Sequence, residues 1–297
     1  MSGQTMELLV QQVINGLALG GTYALIALGL AIVFSILGFI NLAHGELLTI
    51  SGYAMFLLLG SGLPFPARIL VFVALAGIAA LLLERTGFRP FRGSAGVTLL
   101  LTSYAISTSL QVVFLNLIDP RGRSVQVPAG LNSLLSLGPL SVGFKQALSV
   151  VVTIVMLISL TLFLSKTRMG ISIRAAAQDF NVTRLMGVPA NRVISVVFLI
   201  SGLLAGIAGV LWVAQRSTVD PTMGFTPVLK GFVATIVGGL GSLSGAVVAG
   251  FLLGFIEIMV EAFLPPDVQV YREGVVWGLV ILALLLRPQG IFGEQKE

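Results

Sequence analysis

Long apolar runs and short polar interruptions alternate along the whole chain. Residues 8–34 are apolar almost throughout and long enough to cross a bilayer, since roughly 20 apolar residues span the hydrocarbon. Further runs occupy residues 47–59, 69–83, 97–117, 150–164 and 193–213. Residues 227–264 form one more, too long for a single helix and broken by Gly238-Gly239-Leu240-Gly241-Ser242. A last run leads into the tail at Arg287.

The longest polar interruption is residues 166–192, KTRMGISIRAAAQDFNVTRLMGVPANR. It carries Lys166, Arg168, Arg174, Arg184 and Arg192 against one acid, Asp179. Positive charge is retained on the cytoplasmic side during insertion, so this loop belongs inside. Residues 173–186 contain neither Gly nor Pro, and Ala175-Ala176-Ala177 favours a helix. Gly187 can take the left-handed cap, and Pro189 follows where a helix cannot continue. The pattern predicts one short helix beneath the membrane with a basic surface. The alternative is a solvated connector whose arginines only fix topology; such a connector needs the charges but neither the Ala-rich helix nor the Gly-x-Pro stop.

The remaining interruptions set the topology. Residues 84–92 hold Arg85, Arg89 and Arg92 with Pro90, and read as a second cytoplasmic loop. Residues 119–145, with Pro120, Pro128, Pro139 and sparse mixed charge, suit the outer face, as do residues 215–225. Arg192 and the basic tail (Arg287, Lys296) are both inside, so an even number of crossings lies between them. The interrupted run is therefore read as a short helix in, a Gly-rich turn near the inner face, and a second helix out. Gly238, Gly239, Gly241 and Gly245 supply close backbone approach or positive φ in that turn. Counting back from Arg85 places the N-terminus outside. The expected fold is all-α: a polytopic integral membrane protein with about eight to nine membrane helices, including the Gly-interrupted segment, in one transmembrane domain over residues 1–297.

Composition agrees with lipid as the main solvent. The chain is 56% hydrophobic and 10% charged, with a mean hydropathy of +1.03, against roughly 25% charged residues in soluble domains. Its 35 glycines suit closely packed membrane helices, and Gly16, Gly20 and Gly21 have the small-residue spacing for it. The net charge of +5 follows the cytoplasmic loops and does not point to nucleic acid. Zero cysteines exclude disulfides, thiolate metal sites and a Cys nucleophile. The start MSGQTMELLV lacks the basic region and cleavage site of a signal peptide, so the first apolar run reads as a span.

Candidate chemistry is sparse. Gly38 to Glu46 (GFINLAHGE) places Asn41, the only histidine His44, and Glu46 between glycines and between two spans. Polar groups at membrane depth are costly and face a cavity or a partner. The three either line a pathway or its gate, or satisfy a broken helix. Glu257 and Glu261 are four apart on one helix, in reach of a cation or substrate amine or simply at the interface. No P-loop, HExxH, GxSxG or His-rich zinc pattern occurs. The sequence predicts no catalytic residue, no metal and no cofactor held by this chain.

Five stretches, in order, carry a family likeness: NLAHG (Asn41 to Gly45), RAAAQDFNVTRLMGV (Arg174 to Val188), SGLLAGIAGVL (Ser201 to Leu211), GGLGSLSGAVVAG (Gly238 to Gly250) and RPQGIFG (Arg287 to Gly293). Together they resemble the LivH-type permease subunits of bacterial branched-chain amino acid ABC importers, over nearly the whole chain. The resemblance implies a non-enzymatic permease domain in the bacterial inner membrane. It implies a partner permease, two cytoplasmic ATPase subunits that hydrolyse the ATP, and an extracytoplasmic substrate-binding protein. Residues 165–192 would be the coupling loop that docks on an ATPase, with Arg174, Ala176, Ala177, Asp179, Phe180, Arg184 and Gly187 as its working residues. Arg174 stands where the wider importer pattern EAA has Glu. Relatives for urea and short amides share the family, and sugar permeases are more distant. A self-sufficient secondary transporter is a further reading; it would show ionisable groups deep in several spans, where only His44, Glu46 and Glu257 qualify.

Overall fold

The structure is a computed structural model that describes residues 3–118, 120–137, 140–287 and 289–292. Asp119, Pro139, Pro288, Gly293 and Lys296 of the sequence reading lie outside the described residues.

Helix α1 (Gly3–Leu37) is the axis of the molecule. Its apolar part is almost wholly buried, unlike that of every other long helix. Helix α10 (Leu243–Phe263) runs along it, and glycines bring the two together. A Cβ on Gly20 would lie 2.6 Å from the Phe251 carbonyl oxygen, and Gly16 faces the ring and backbone of Phe255. Gly250 and Gly254 of α10 pack on the α1 backbone in return. In lipid, helices gain from such packing because no hydrophobic drive separates them from acyl chains.

Around this pair stand α3 (Phe65–Leu82), α4 (Gly96–Leu117), α5 (Phe144–Lys166), α8 (Ala190–Arg216) and α11 (Arg272–Leu286). Seven helices among the described residues are long and apolar enough to cross a membrane, counting the extensions of α3 to Phe91 and of α11 back to Pro266. Two more, α2 (His44–Leu57) and α9 (Phe225–Gly238), have 14 residues each. At 1.5 Å per residue each is about 21 Å long, short of the roughly 30 Å hydrocarbon. The protein is thus an all-α, multi-pass membrane protein, with seven full-length and two half-length helices among the described residues. The Gly-interrupted run is α9, a turn and α10, as its composition predicts: Gly239 and Gly241 take φ of 106° and 91°, and Ser242 caps α10 by accepting from Gly245 N at 3.1 Å.

Three local expectations change. Residues 84–92 are not a free loop: α3 continues through a π turn (Leu83–Phe88) and a short 3-10 turn (Arg89–Phe91). The helix predicted over residues 173–186 is two helices, α6 (Arg168–Gln178) and α7 (Phe180–Leu185). Asp179 breaks them because its carboxylate caps α7, accepting from Val182 N at 2.9 Å. Residues 119–145 contain strands that no periodicity announced: β1 (Arg123–Ser124) pairs antiparallel with β4 (Thr218–Val219), and β2 (Leu134–Leu137) with β3 (Leu140–Gly143).

Candidate functional site

The polar turn joins α1 to α2. Gly38, at φ 65°, ends α1, and its N–H bonds Phe34 O at 2.9 Å. The next residues climb to His44, which starts α2 opposite Ser201 near the middle of α8. A helix therefore begins inside the protein at membrane depth, where irregular backbone survives only if protein covers it. Asn41, His44 and Glu46 are all buried.

They are not one constellation. His44 Nδ1 lies 3.1 Å from Ser201 Oγ, which itself donates to Gly29 O at 2.8 Å. The hydroxyl has one proton, so His44 Nδ1 carries its own and donates to Ser201. Nε2 is then the basic nitrogen, and it has no partner. Glu46 points to α4, where its Oε1 accepts from Ser107 Oγ and Gln111 Nε2, both at 2.8 Å. Residues two apart on a helix point to opposite sides, which is why His44 meets α1 and α8 while Glu46 meets α4. Asn41 Oδ1 and Glu46 Oε2 also lack partners.

A second polar cluster escaped the sequence reading because its centre, Lys230, is a lone cation in an apolar half-helix. Lys230 Nζ donates to Glu257 Oε1 at 2.8 Å and to Glu273 Oε1 at 3.1 Å. Tyr23 Oη donates to Glu257 Oε2 at 2.9 Å. Arg216 stacks on Trp212, 3.8 Å from the ring centroid, beside Tyr23. These bonds tie α1, α9, α10 and α11 together. Glu257 and Glu261, paired in the sequence by spacing, separate: Glu261 bonds Arg272 Nη1 at 3.0 Å on the surface.

The third cluster lies at the end of the bundle where α3 turns into α4. Glu84, on the π turn, accepts from Arg92 and from Ser195 Oγ at 3.0 Å; Arg92 also donates to Asn191. This network ties the α3–α4 connection to the base of α8. Burial lowers the Arg92 pKa from its ordinary value, and the Glu84 charge opposes that shift. Beside it is a cavity of about 460 Å³, floored by Phe88, Leu99 and Phe198 and rimmed by Asn181, Arg184 and the Glu84–Arg92 pair.

Helices α6 and α7 hang beneath the membrane helices. Thr167 caps α6 by accepting from Gly170 N at 2.9 Å, and Gly170 packs on the α5 backbone. Ile173 and Ala176 face inward and are buried, while Arg174, Ala177 and Asp179 are exposed. Phe180 is half-buried against the core. The surface of α7 exposes apolar side chains, Val182, Leu185 (84% exposed) and Met186 (80% exposed), beside Asn181 and Arg184. Gly187 turns the chain at φ 85°. At the opposite side of α9, Gly238 faces Gly245 backbone to backbone, and Ile291 N bonds Val237 O at 2.7 Å, tucking the tail under the Gly-rich turn.

Seven membrane-length apolar helices, two half-length ones and a capped helix pair at one end of the bundle define a multi-pass membrane protein. The chain belongs to the family described as branched-chain amino acid transport system / permease component, whose model matches residues 12–286. It is 35% identical over 301 residues to the high-affinity branched-chain amino acid transport system permease protein BraD of Pseudomonas aeruginosa, covering 97% of this chain and 96% of that one. It is 34% identical over 310 residues to LivH of Escherichia coli K12, a protein of the same description, covering 100% and 99%. The ribose import permease protein RbsC of Haemophilus influenzae is 24% identical over 93% of this chain and 84% of its own. Among solved structures, PsaBC from Streptococcus pneumoniae in complex with Fab matches in fold with a TM-score of 0.50 at 13% identity, over 94% of this chain and 92% of that one.

Proposed function

We propose that this chain is the membrane-spanning subunit of an ATP-driven importer of branched-chain, hydrophobic amino acids in the bacterial inner membrane. It works with a second permease, two ATPase subunits that hold and hydrolyse the ATP, and an extracytoplasmic binding protein. Residues 1–297 form one permease domain, and residues 165–192 are its coupling loop. The observation that carries this reading is α7: a short, capped helix presenting Val182, Leu185 and Met186 to the cytoplasm, on a chain with no nucleotide-binding motif. Apolar side chains that exposed beside arginine fit a protein groove, with Arg184 and Arg174 at its edge. Ala176 and Phe180 then fasten the loop to the membrane helices, Ala177 lies on the open face, and the Asp179 and Gly187 caps keep it stiff.

In this reading Asn41, His44 and Glu46 belong to the gate of the pathway. Their unpartnered atoms at the start of a half-length helix are the support for it, because buried polar atoms without partners cost about 1–3 kcal/mol each and persist where function needs them. An apolar groove of about 590 Å³ between α1, α5 and α10, with Ser165, Ser244 and Arg174 along it, is where the second permease would close the pathway. The experiment is uptake of labelled leucine into vesicles holding the assembled complex, with and without internal ATP. Uptake that ignores ATP would leave a self-sufficient transporter; urea uptake in preference to leucine would leave the short-amide reading.

A further inference from the structure

The cavity beside α7 combines an apolar floor with a charged rim. Its floor is aromatic and aliphatic: Phe88, Leu99 and Phe198. On its rim Glu84 and Arg92 neutralise each other. Arg184 is left over, with no acceptor for its guanidinium among the described residues. A net positive rim over an apolar floor suits a small molecule with a carboxylate at one end and a hydrocarbon group at the other. An ammonium on the same molecule has two acceptors at hand, the Glu84 carboxylate and the Asn181 amide oxygen. The volume, about 460 Å³, falls in the roughly 300–1,000 Å³ range of small-molecule sites.

We propose that this cavity binds an aliphatic α-amino acid from the cytoplasm and that its occupancy slows transport. The inference rests on the importer reading above. Two structural units form the walls. Asn181 and Arg184 of α7 stand on one side; Glu84, Arg92 and Ser94 of the α3–α4 connection, tied to the base of α8, stand on the other. A ligand that bridges both units favours the one arrangement it fits, by as much as its affinities for the two arrangements differ. A pump driven by ATP hydrolysis feels little back-pressure from accumulated cargo. A cytoplasmic site for that cargo supplies the missing restraint, at the element that meets the ATPase.

The test uses proteoliposomes holding the permease–ATPase complex, with ATP inside and binding protein carrying labelled leucine outside. Initial uptake and ATP hydrolysis are measured against preloaded unlabelled leucine. Both rates should fall as internal leucine rises. Glycine, which lacks the hydrocarbon group, and leucinamide, which lacks the carboxylate, should not lower them. Arg184→Gln should raise the half-inhibiting concentration about tenfold, the equivalent of losing about 1.4 kcal/mol of binding. Ser94→Trp, which fills the cavity from the α3–α4 side, should abolish inhibition while uptake into empty vesicles keeps the wild-type rate. Unchanged inhibition curves in both variants, equal inhibition by glycine, or inhibition that follows the acidic-lipid content and not leucine would each overturn the proposal. ATP-dependent uptake into empty vesicles without any effect of internal leucine would overturn it alone; no ATP-dependent uptake into empty vesicles would bring down the importer reading instead.

Discussion

The Lys230 ammonium and the Glu257 carboxylate, 2.8 Å apart, face each other from different helices in an apolar interior. Lys230 is only 2% exposed. Removing Lys230 strands the buried Glu257 carboxylate with only the Tyr23 hydroxyl, a cost of about 3–5 kcal/mol; removing Glu257 costs less, because Lys230 keeps Glu273; replacing both is often neutral. Lys230→Met and Glu257→Gln should each lower the melting temperature and membrane abundance, Lys230→Met the more sharply. The double variant should recover most of the loss, with Tyr23 still donating to the glutamine. A double variant as damaged as either single one would show that the charges act beyond their mutual pairing.

Ser201 stands between His44 and Gly29, accepting from one and donating to the other. Ser201→Ala leaves the buried His44 ring N–H without its acceptor, and takes only a second bond from the Gly29 carbonyl, which keeps its place in the α1 ladder; the destabilisation is about 1–3 kcal/mol. Thermal unfolding in detergent reads this directly. His44→Ala at normal abundance should in addition slow transport; an unchanged uptake rate would remove His44 from the gate.

Gly239 holds φ at 106° in the turn between α9 and α10. An alanine there is strained by about 1–3 kcal/mol. Gly239→Ala should therefore reduce assembled protein and leave the order of preference among leucine, isoleucine and valine as it is. A shifted preference at normal abundance would place the turn in cargo selection.

Leu185 and Met186 carry the docking surface in our reading, and Phe180 fastens the loop to the core. Leu185→Asp should abolish co-purification of the ATPase while the permease stays folded. Phe180→Ala should cost less than the roughly 3–5 kcal/mol of a fully buried phenylalanine, because Phe180 is half-exposed, and should weaken stimulated hydrolysis by loosening the helix. Full ATPase recovery with Leu185→Asp would refute the docking surface.

The natural chain lacks cysteine, so single reporters are clean. A cysteine at Ser124, on the exposed strand β1, should react with an impermeant thiol reagent applied outside, and one at Gln178 in α6 should not. The reverse pattern would invert the topology.

How much of this was readable beforehand depends on the kind of signal. Membrane helices announce themselves through apolar runs, and the Gly238 to Ser242 break through composition, so the helix order was legible. Gly16 and Gly20 were legible as packing residues, although not that Gly250 and Gly254 would answer them, because sequence spacing carries no information on which helices meet. Asn41, His44 and Glu46 stood out as polar residues in an apolar context, yet only the half-length start of α2 shows that His44 and Glu46 look in opposite directions. Lys230 carries the same signal, a lone cation in an apolar run, but no motif surrounds it. The break at Asp179 was masked by a locally strong helix former, the alanine triplet; a capping carboxylate three residues before Val182 N overrode it. The strands between residues 119 and 145 are too short to show a period of two.

The pairing of α1 with α10 sets a timetable for biogenesis. The glycine face of α1 leaves the ribosome well over two hundred residues before its cover in α10. At roughly 5–20 residues per second, the interval between the two is on the order of 10–50 s. Throughout that time a helix meant for the interior stands in lipid, open to any small-residue face that drifts by. A chain that stalls before Leu243 never receives the cover, and its Gly16 and Gly20 face stays open to lipid.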